Sequence, residues 1–310
     1  MNDRYTLLTN DVETMSLWFN DLRDATGEKV LKEGMPILLD LYRRYNVKST
    51  FFFTGYIVDL YPDVVRMILR DGHEVGSHGK SHIPENGFDV MPFNKQKAHL
   101  DYSKKQLEDV SGTEVISFRA PALQICDITA RALIETGFRI DSSIAPQRFD
   151  FFMSFGSKQK LRFLTARRLP YRTKLNNIYA KGNSPLIEVP ISGILMPFVG
   201  TTMRIFPWVT RIQKTISEIE TKMFGKPIVL VVHPNEFIDE SDEVRVVSRR
   251  SNNVIGHILK DLIRSKLKVR NLGAAAIPLY ESVIKHFSKK GYNLSTMSDY
   301  VKHLIDTNRI

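Results

Sequence analysis

Ile228-Val-Leu-Val-Val232 offers no polar side chain to either face of a strand. Ser49-Thr-Phe-Phe-Phe-Thr54 places its three phenylalanines on both faces of a second such strand. A strand covered on both sides belongs to a parallel sheet clothed by helices, or to a barrel. The stretches between such runs have helical period. Residues 33–45 carry Ile37, Leu38, Leu41 and Tyr45 on one face, with Pro36 near the start and Asn46 as the stop. Further helices are expected over residues 57–70, closed by Asp71-Gly72, over 94–110, and over 127–136 with Asp127 as N-cap and Gly137 as C-cap. Four more are expected over 210–224, 254–267 (basic and amphipathic), 277–288 and 298–306. Shorter strands are expected at 5–8, 73–75, 115–118, 138–140, 186–189 and within 291–296. Roughly seven strands alternating with helices imply a parallel α/β sheet, open or closed.

Polar residues follow these strands closely. His73-Glu-Val-Gly-Ser-His-Gly-Lys-Ser-His-Ile-Pro84 puts His78 and His82 four residues apart, about one helical turn, so both imidazoles can converge on one cation. The same spacing also occurs in loops that bind nothing. Gly76, Gly79 and Pro84 favour a loop or a single turn. Asp11 and Glu13, at i and i+2, point the same way on an extended backbone, or they serve a strand-end turn. Arg119-Ala-Pro121, Asp141-Ser-Ser143 and His233-Pro-Asn-Glu236 each come directly after an expected strand. Taken singly, Arg119 reads equally as a loop residue, Asp141 as an N-cap and His233 as a core histidine. Their common placement favours chemistry, because β/α barrels gather functional groups at the carboxyl ends of their strands.

The chain has 310 residues, 43% hydrophobic and 25% charged, ample for a large core. A single Cys126 excludes an internal disulfide and fits a reducing compartment. Cys126 reads as a small buried residue. The first residues lack the basic and apolar regions of a secretory signal, and no stretch has the length of a spanning helix. A cytoplasmic protein is expected, with membrane association left open. The formal charge of +10 favours anionic partners, while no nucleic-acid module is legible and none is expected as partner. Residues 147–183, aromatic, basic and aperiodic, read as an insertion, as do 240–275, within a single domain spanning 1–310. Residues 191–209, apolar but interrupted by Arg204, read as a core or groove-lining segment, or as a membrane-surface contact.

Five short motifs now stand in order: Thr9-Asn-Asp-Val-Glu13, Ser77-His-Gly-Lys-Ser-His82, Arg119-Ala-Pro121, Asp141-Ser-Ser143 and Leu230-Val-Val-His-Pro234. Together they resemble the NodB-homology polysaccharide deacetylases, carbohydrate esterase family 4, over about residues 5–305. The usual first motif has two adjacent aspartates. Here Val12 takes the second place, as in branches with Asp-x-Asp or Asp-x-Glu.

The resemblance implies a distorted (β/α)7-type barrel of parallel strands with outer helices. It implies one divalent metal ion, zinc first with cobalt, nickel or manganese as alternatives, held by Glu13, His78 and His82. By the same similarity Asp11 is the general base and Arg119 its partner, His233 is the general acid, and Asp141 orients that histidine. A backbone N–H near Ala122 joins the metal in holding the oxyanion. The implied reaction removes an N-acyl group, acetyl first, from an amino sugar in a glycan or glycan precursor. The basic surface and the 191–209 segment suit an anionic, lipid-linked substrate. Two alternatives stand beside this reading: a deformylase of a lipid-linked formamido sugar, and a carbohydrate-binding relative without catalysis.

Overall fold

The strands are β1 Tyr5–Val12, β2 Met15–Ser16, β3 Asp21–Leu22, β4 Thr50–Phe53, β5 Glu74–Ser77, β6 Ser117–Phe118, β7 Ile140–Asp141, β8 Tyr171–Lys174, β9 Asn177–Lys181, β10 Ile187–Glu188, β11 Gly193–Ile194, β12 Met196–Pro197, β13 Ile228–Val232 and β14 Asn293–Leu294. They come from a computed structural model that describes residues 4–148, 158–245 and 263–310. The main sheet runs β13-β1-β4-β5-β6-β7-β10-β8-β9, with β14 beside the start of β1. From β13 across to β10 the pairing is parallel throughout. The apolar residues that identified β4 and β13 are buried on both faces.

Beyond β10, Pro190 has no N–H to give a ladder, and regular pairing stops. Ser192 then closes the gap. Its N–H donates to the Val229 carbonyl at 3.1 Å, and its Oγ accepts from the Val229 N–H at 3.0 Å. Val199 bridges to Val231. Irregular contacts therefore bring the β10 end of the curled sheet round to β13, and helices cover the outside. This is the distorted parallel barrel that the motifs imply.

Several boundaries differ from expectation, each for a local reason. The helix expected at 33–45 starts at Asp24, passes through a π-helical turn at Val30–Gly34, and ends as Met35–Arg44. The helix expected at 57–70 is two, Gly55–Leu60 and Asp63–Arg70, because Pro62 pushes Tyr61 out of helical geometry. Asp127 caps nothing: the helix there is Thr129–Glu135, with Ile128 at its N-cap, and Asp127 pairs with Arg162. Within the aperiodic 147–183 stretch, β8 and β9 form an antiparallel hairpin that extends the sheet past β10. Much of the helix expected at 254–267 lies outside the described residues; Arg264–Lys268 is helical. Among the described residues no helix is long and apolar enough to cross a membrane.

His73 is buried just before β5. Its Nδ1 accepts from the Ser49 N–H at 3.2 Å, and its Nε2 has no partner. Burial, with Lys48 nearby, lowers its pKa from 6.5 to about 4. The unfolded imidazole therefore binds a proton first. The stability held by neutral His73 is full above pH 6.5 and is lost as pH falls toward 4. The loss amounts to about 2–3 kcal/mol. Urea unfolding at pH 7 and pH 4.5 should show that His73→Gln flattens this part of the pH dependence; an unchanged slope would contradict it.

Candidate active site

β1 brings Asp11 and Glu13 to one place because residues two apart on a strand share a face. The chain after β5 brings His78 and His82, the loop after β6 brings Arg119, and the end of β13 brings His233. Glu13, His78 and His82 each offer an atom within 4.8 Å of the others, the one such group found among the described residues. His78 Nε2 lies 3.0 Å from His82 Nε2, and His82 Nε2 lies 2.5 Å from Glu13 Oε2.

These contacts fit a shared cation better than a chain of hydrogen bonds. Glu13 Oε2 is buried without a hydrogen-bond partner, despite its closeness to His82. His78 Nδ1 faces the Arg119 carbonyl at 2.8 Å. That bond takes the ring proton to Nδ1 and leaves a lone pair on Nε2, the tautomer a metal requires. Burial, opposed by Asp11, lowers the His78 pKa to about 4, so the ring is neutral near pH 7. Two imidazoles and one carboxylate are a donor set suited to zinc and neighbouring divalent ions.

Asp11 stands beside this group rather than within it. Its Oδ2 is 3.9 Å from His78 Nε2 and 3.8 Å from His233 Nε2. Its Oδ1 accepts from Arg119 Nη1 at 2.8 Å. Burial acts to raise its pKa, but Arg119, His78 and His233 outweigh it and hold the carboxyl below the usual range. Glu13 is likewise lowered, burial being outweighed by His82, His233 and His78. Arg119 is itself completely buried. It also donates to Thr9 Oγ1, to the Ser142 carbonyl and to Ser142 Oγ, at 2.8, 2.9 and 2.9 Å. Its guanidinium lies over the Phe52 ring. Every edge of the fork is thus engaged and its orientation is fixed.

His233 sits at the rim, its Nε2 3.9 Å from Glu13 Oε1. The expectation that Asp141 orients it is not met. Asp141 accepts from Ser143 Oγ at 2.6 Å, and Ser143 Oγ in turn accepts from the Ala120 N–H at 2.9 Å. Those bonds hold Asp141 behind the Arg119 loop. Its other neighbour is Glu188, its partner in register on β10. Burial raises both carboxyls, and the Asp141 charge helps push Glu188 well above its usual range.

On the other side of the ring, Glu236 lies 4.0 Å from His233 Nδ1. Glu236 accepts the His233 N–H at 3.2 Å and is gripped by buried Arg204 at 2.9 Å. Sequence reading names both residues and gives neither a role at the site. The available signals were Glu236, three residues past a strand-end histidine, and the charge interrupting residues 191–209. Ala122 makes no polar contact with the cluster. It is exposed, in left-handed backbone with φ 51° and ψ 19°.

Gly34 allows the π-turn to press against this loop: a Cβ there would lie 2.4 Å from the Pro234 carbonyl oxygen. That oxygen belongs to backbone and cannot rotate away. Gly34→Ala is expected to lower stability by about 1–3 kcal/mol and to displace the His233 loop. Urea midpoints and turnover, measured together, check this.

A sequence model of the polysaccharide deacetylase family matches residues 9–140. A peptidoglycan deacetylase of Helicobacter pylori is 25% identical over 261 residues, covering 75% of this chain and 86% of the relative. A peptidoglycan-N-acetylglucosamine deacetylase of Bacillus cereus is 28% identical over 131 residues, which cover 42% of this chain and 56% of that protein. A solved structure from Mycobacterium smegmatis, assigned as a polysaccharide deacetylase, superposes with a TM-score of 0.62 at 19% identity, covering 99% of this chain and 93% of that one. At that identity the likeness speaks for the fold alone. The matched segment holds three of the five motifs. Over residues 9–140 the chain is similar to the polysaccharide deacetylase family, and these comparisons support a NodB-homology carbohydrate N-deacetylase of carbohydrate esterase family 4.

Proposed function

We propose that the chain is a divalent-metal-dependent hydrolase that removes an N-acyl group, acetyl first, from an amino sugar in a glycan or glycan precursor. The observation that carries the reading is the convergence of Glu13, His78 and His82 on one point, with Asp11 and His233 beside it. When bound there, a divalent cation supplies Lewis-acid polarisation of an amide oxygen and acidification of a water. Zinc is the first choice for these donors.

Asp11, kept ionised by Arg119, takes a proton from the attacking water. The water oxygen adds to the amide carbon, and a backbone N–H near Ala122 would hold the developing oxyanion once substrate is bound. The C–N bond breaks as His233 hands a proton to the departing nitrogen, giving a carboxylic acid and a free amine. Glu236 stands where it can orient that imidazole. Asp141 acts one step removed, by fixing Ser143 and the Arg119 loop. The substrate we favour is anionic and lipid-linked, met in the cytoplasm at a membrane surface.

The test is acid release from an N-acylated amino sugar by protein stripped with chelator and then reloaded with zinc. The stripped protein should lose activity and regain it with about one equivalent of metal. Full activity in protein shown by mass spectrometry to hold no metal would refute the reading. Scoring formate against acetate separates a deformylase from a deacetylase.

A further inference from the structure

The helix Pro207–Phe224 carries its polarity inside out. Thr210, Gln213, Ser217 and Thr221 are buried, while Trp208, Ile212, Ile219 and Met223 are exposed. The exposed residues recur at helical spacing and form one apolar stripe. Beside its first turn stands the β11–β12 turn, where Leu195 is 64% exposed in left-handed backbone, φ 61°. An apolar L-residue in that conformation costs free energy, and here no burial repays it. Leu195, Met196, Trp208, Ile212 and Ile216 line an open groove of 360 Å³. A soluble surface rarely keeps such a patch uncovered.

The surrounding charge selects what covers it. Arg211, Lys214 and Lys222 flank the stripe on the same helix, and Lys214 shares a second groove with Lys285 and Lys289. The acidic residues of this face are already engaged: Glu218 with His286 and Lys290, Glu220 with Arg168 and Lys226, and Glu281 with Arg44. The remaining field is positive. A second copy of the chain would set these cations against their own kind. An apolar stripe with a Trp and a basic border is the pattern of a helix lying in the interface of an anionic bilayer.

We propose that the outward face of Pro207–Phe224, with Leu195, docks on an anionic phospholipid membrane. The short helix Gly200–Ile205, which leads directly into this one, starts at Val199, and Val199 pairs with Val231 just before His233. Docking would thus set the rim of the site beside the lipid. This consequence, though not the docking itself, rests on the lipid-linked substrate proposed above.

The test is co-sedimentation of the whole chain, without substrate, with vesicles of phosphatidylcholine alone or mixed with phosphatidylglycerol. Binding is expected to the anionic vesicles at low salt, falling as salt rises. In a Trp18→Phe background, Trp208 is the sole tryptophan, and its emission should shift to the blue. Trp208→Gln should weaken partition about tenfold, and Lys214→Gln with Lys222→Gln by a similar factor. These side chains lie at the surface, and unchanged circular dichroism would show the fold intact. Absence of binding to anionic vesicles at low salt would overturn the proposal, as would binding indifferent to Trp208→Gln. So would self-association in sedimentation equilibrium that Trp208→Gln abolishes. Because binding is read without turnover, an inactive enzyme would leave this result standing, and failed binding would leave the hydrolase reading untouched.

Discussion

Asp11→Asn is expected to lower turnover by about a thousandfold while the protein stays folded and binds its cation. Asn keeps the shape and still accepts a hydrogen bond from Arg119 Nη1, now 2.8 Å from the Asp11 carboxylate. It cannot take a proton from water. Asp11 is not one of the three converging ligands, so metal content should hold near one equivalent per chain. Acetate release and metal analysis on the same sample check both halves. Undiminished turnover would remove Asp11 from its role, whereas loss of metal would place it among the ligands.

Arg119→Met should produce the largest loss of stability at the site. Arg119 and Asp11 form an ion pair with both partners buried. Removing the cation leaves a carboxylate without a counter-charge and costs about 3–5 kcal/mol. It also strands the Ser142 carbonyl and Thr9 Oγ1, which now accept from the guanidinium. Without Arg119, Asp11 loses the largest of the influences that lower its pKa, and that pKa should rise. The acid limb of the pH–rate profile should therefore move to higher pH. The double variant Asp11→Asn/Arg119→Met should be less destabilised than the sum of the singles, by about 1–3 kcal/mol, because no charge is left unpaired. Urea unfolding of the four proteins measures this coupling, and strict additivity would mean that the pair is not a unit.

These expectations rest on a site whose outline was legible in the chain. β4 and β13 were readable because they are apolar on both faces, which only a covered parallel strand requires. Asp11, Glu13, His78, His82, Arg119 and His233 were readable because each lies at or just beyond the carboxyl end of a strand. What escaped was settled by contacts between distant segments. Pro62 splits a helix that periodicity alone joins. The β8–β9 hairpin is held by the edge of β10 rather than by its own alternation. Asp141 has the position of an orienting carboxylate, yet Ser143 and Glu188 claim it, and the carboxylate near His233 Nδ1 comes from Glu236. Glu236 keeps its place because Arg204, from the apolar 191–209 segment, is buried against it. A sequence does not announce such pairs.

The most direct test is a crystal of the protein grown with zinc, examined by anomalous scattering at the zinc edge. The account predicts one peak bonded to a Glu13 oxygen and to Nε2 of His78 and His82, with Asp11 and His233 beside it and outside the bonding distance. No peak at saturating zinc, or a peak away from these three side chains, would contradict it.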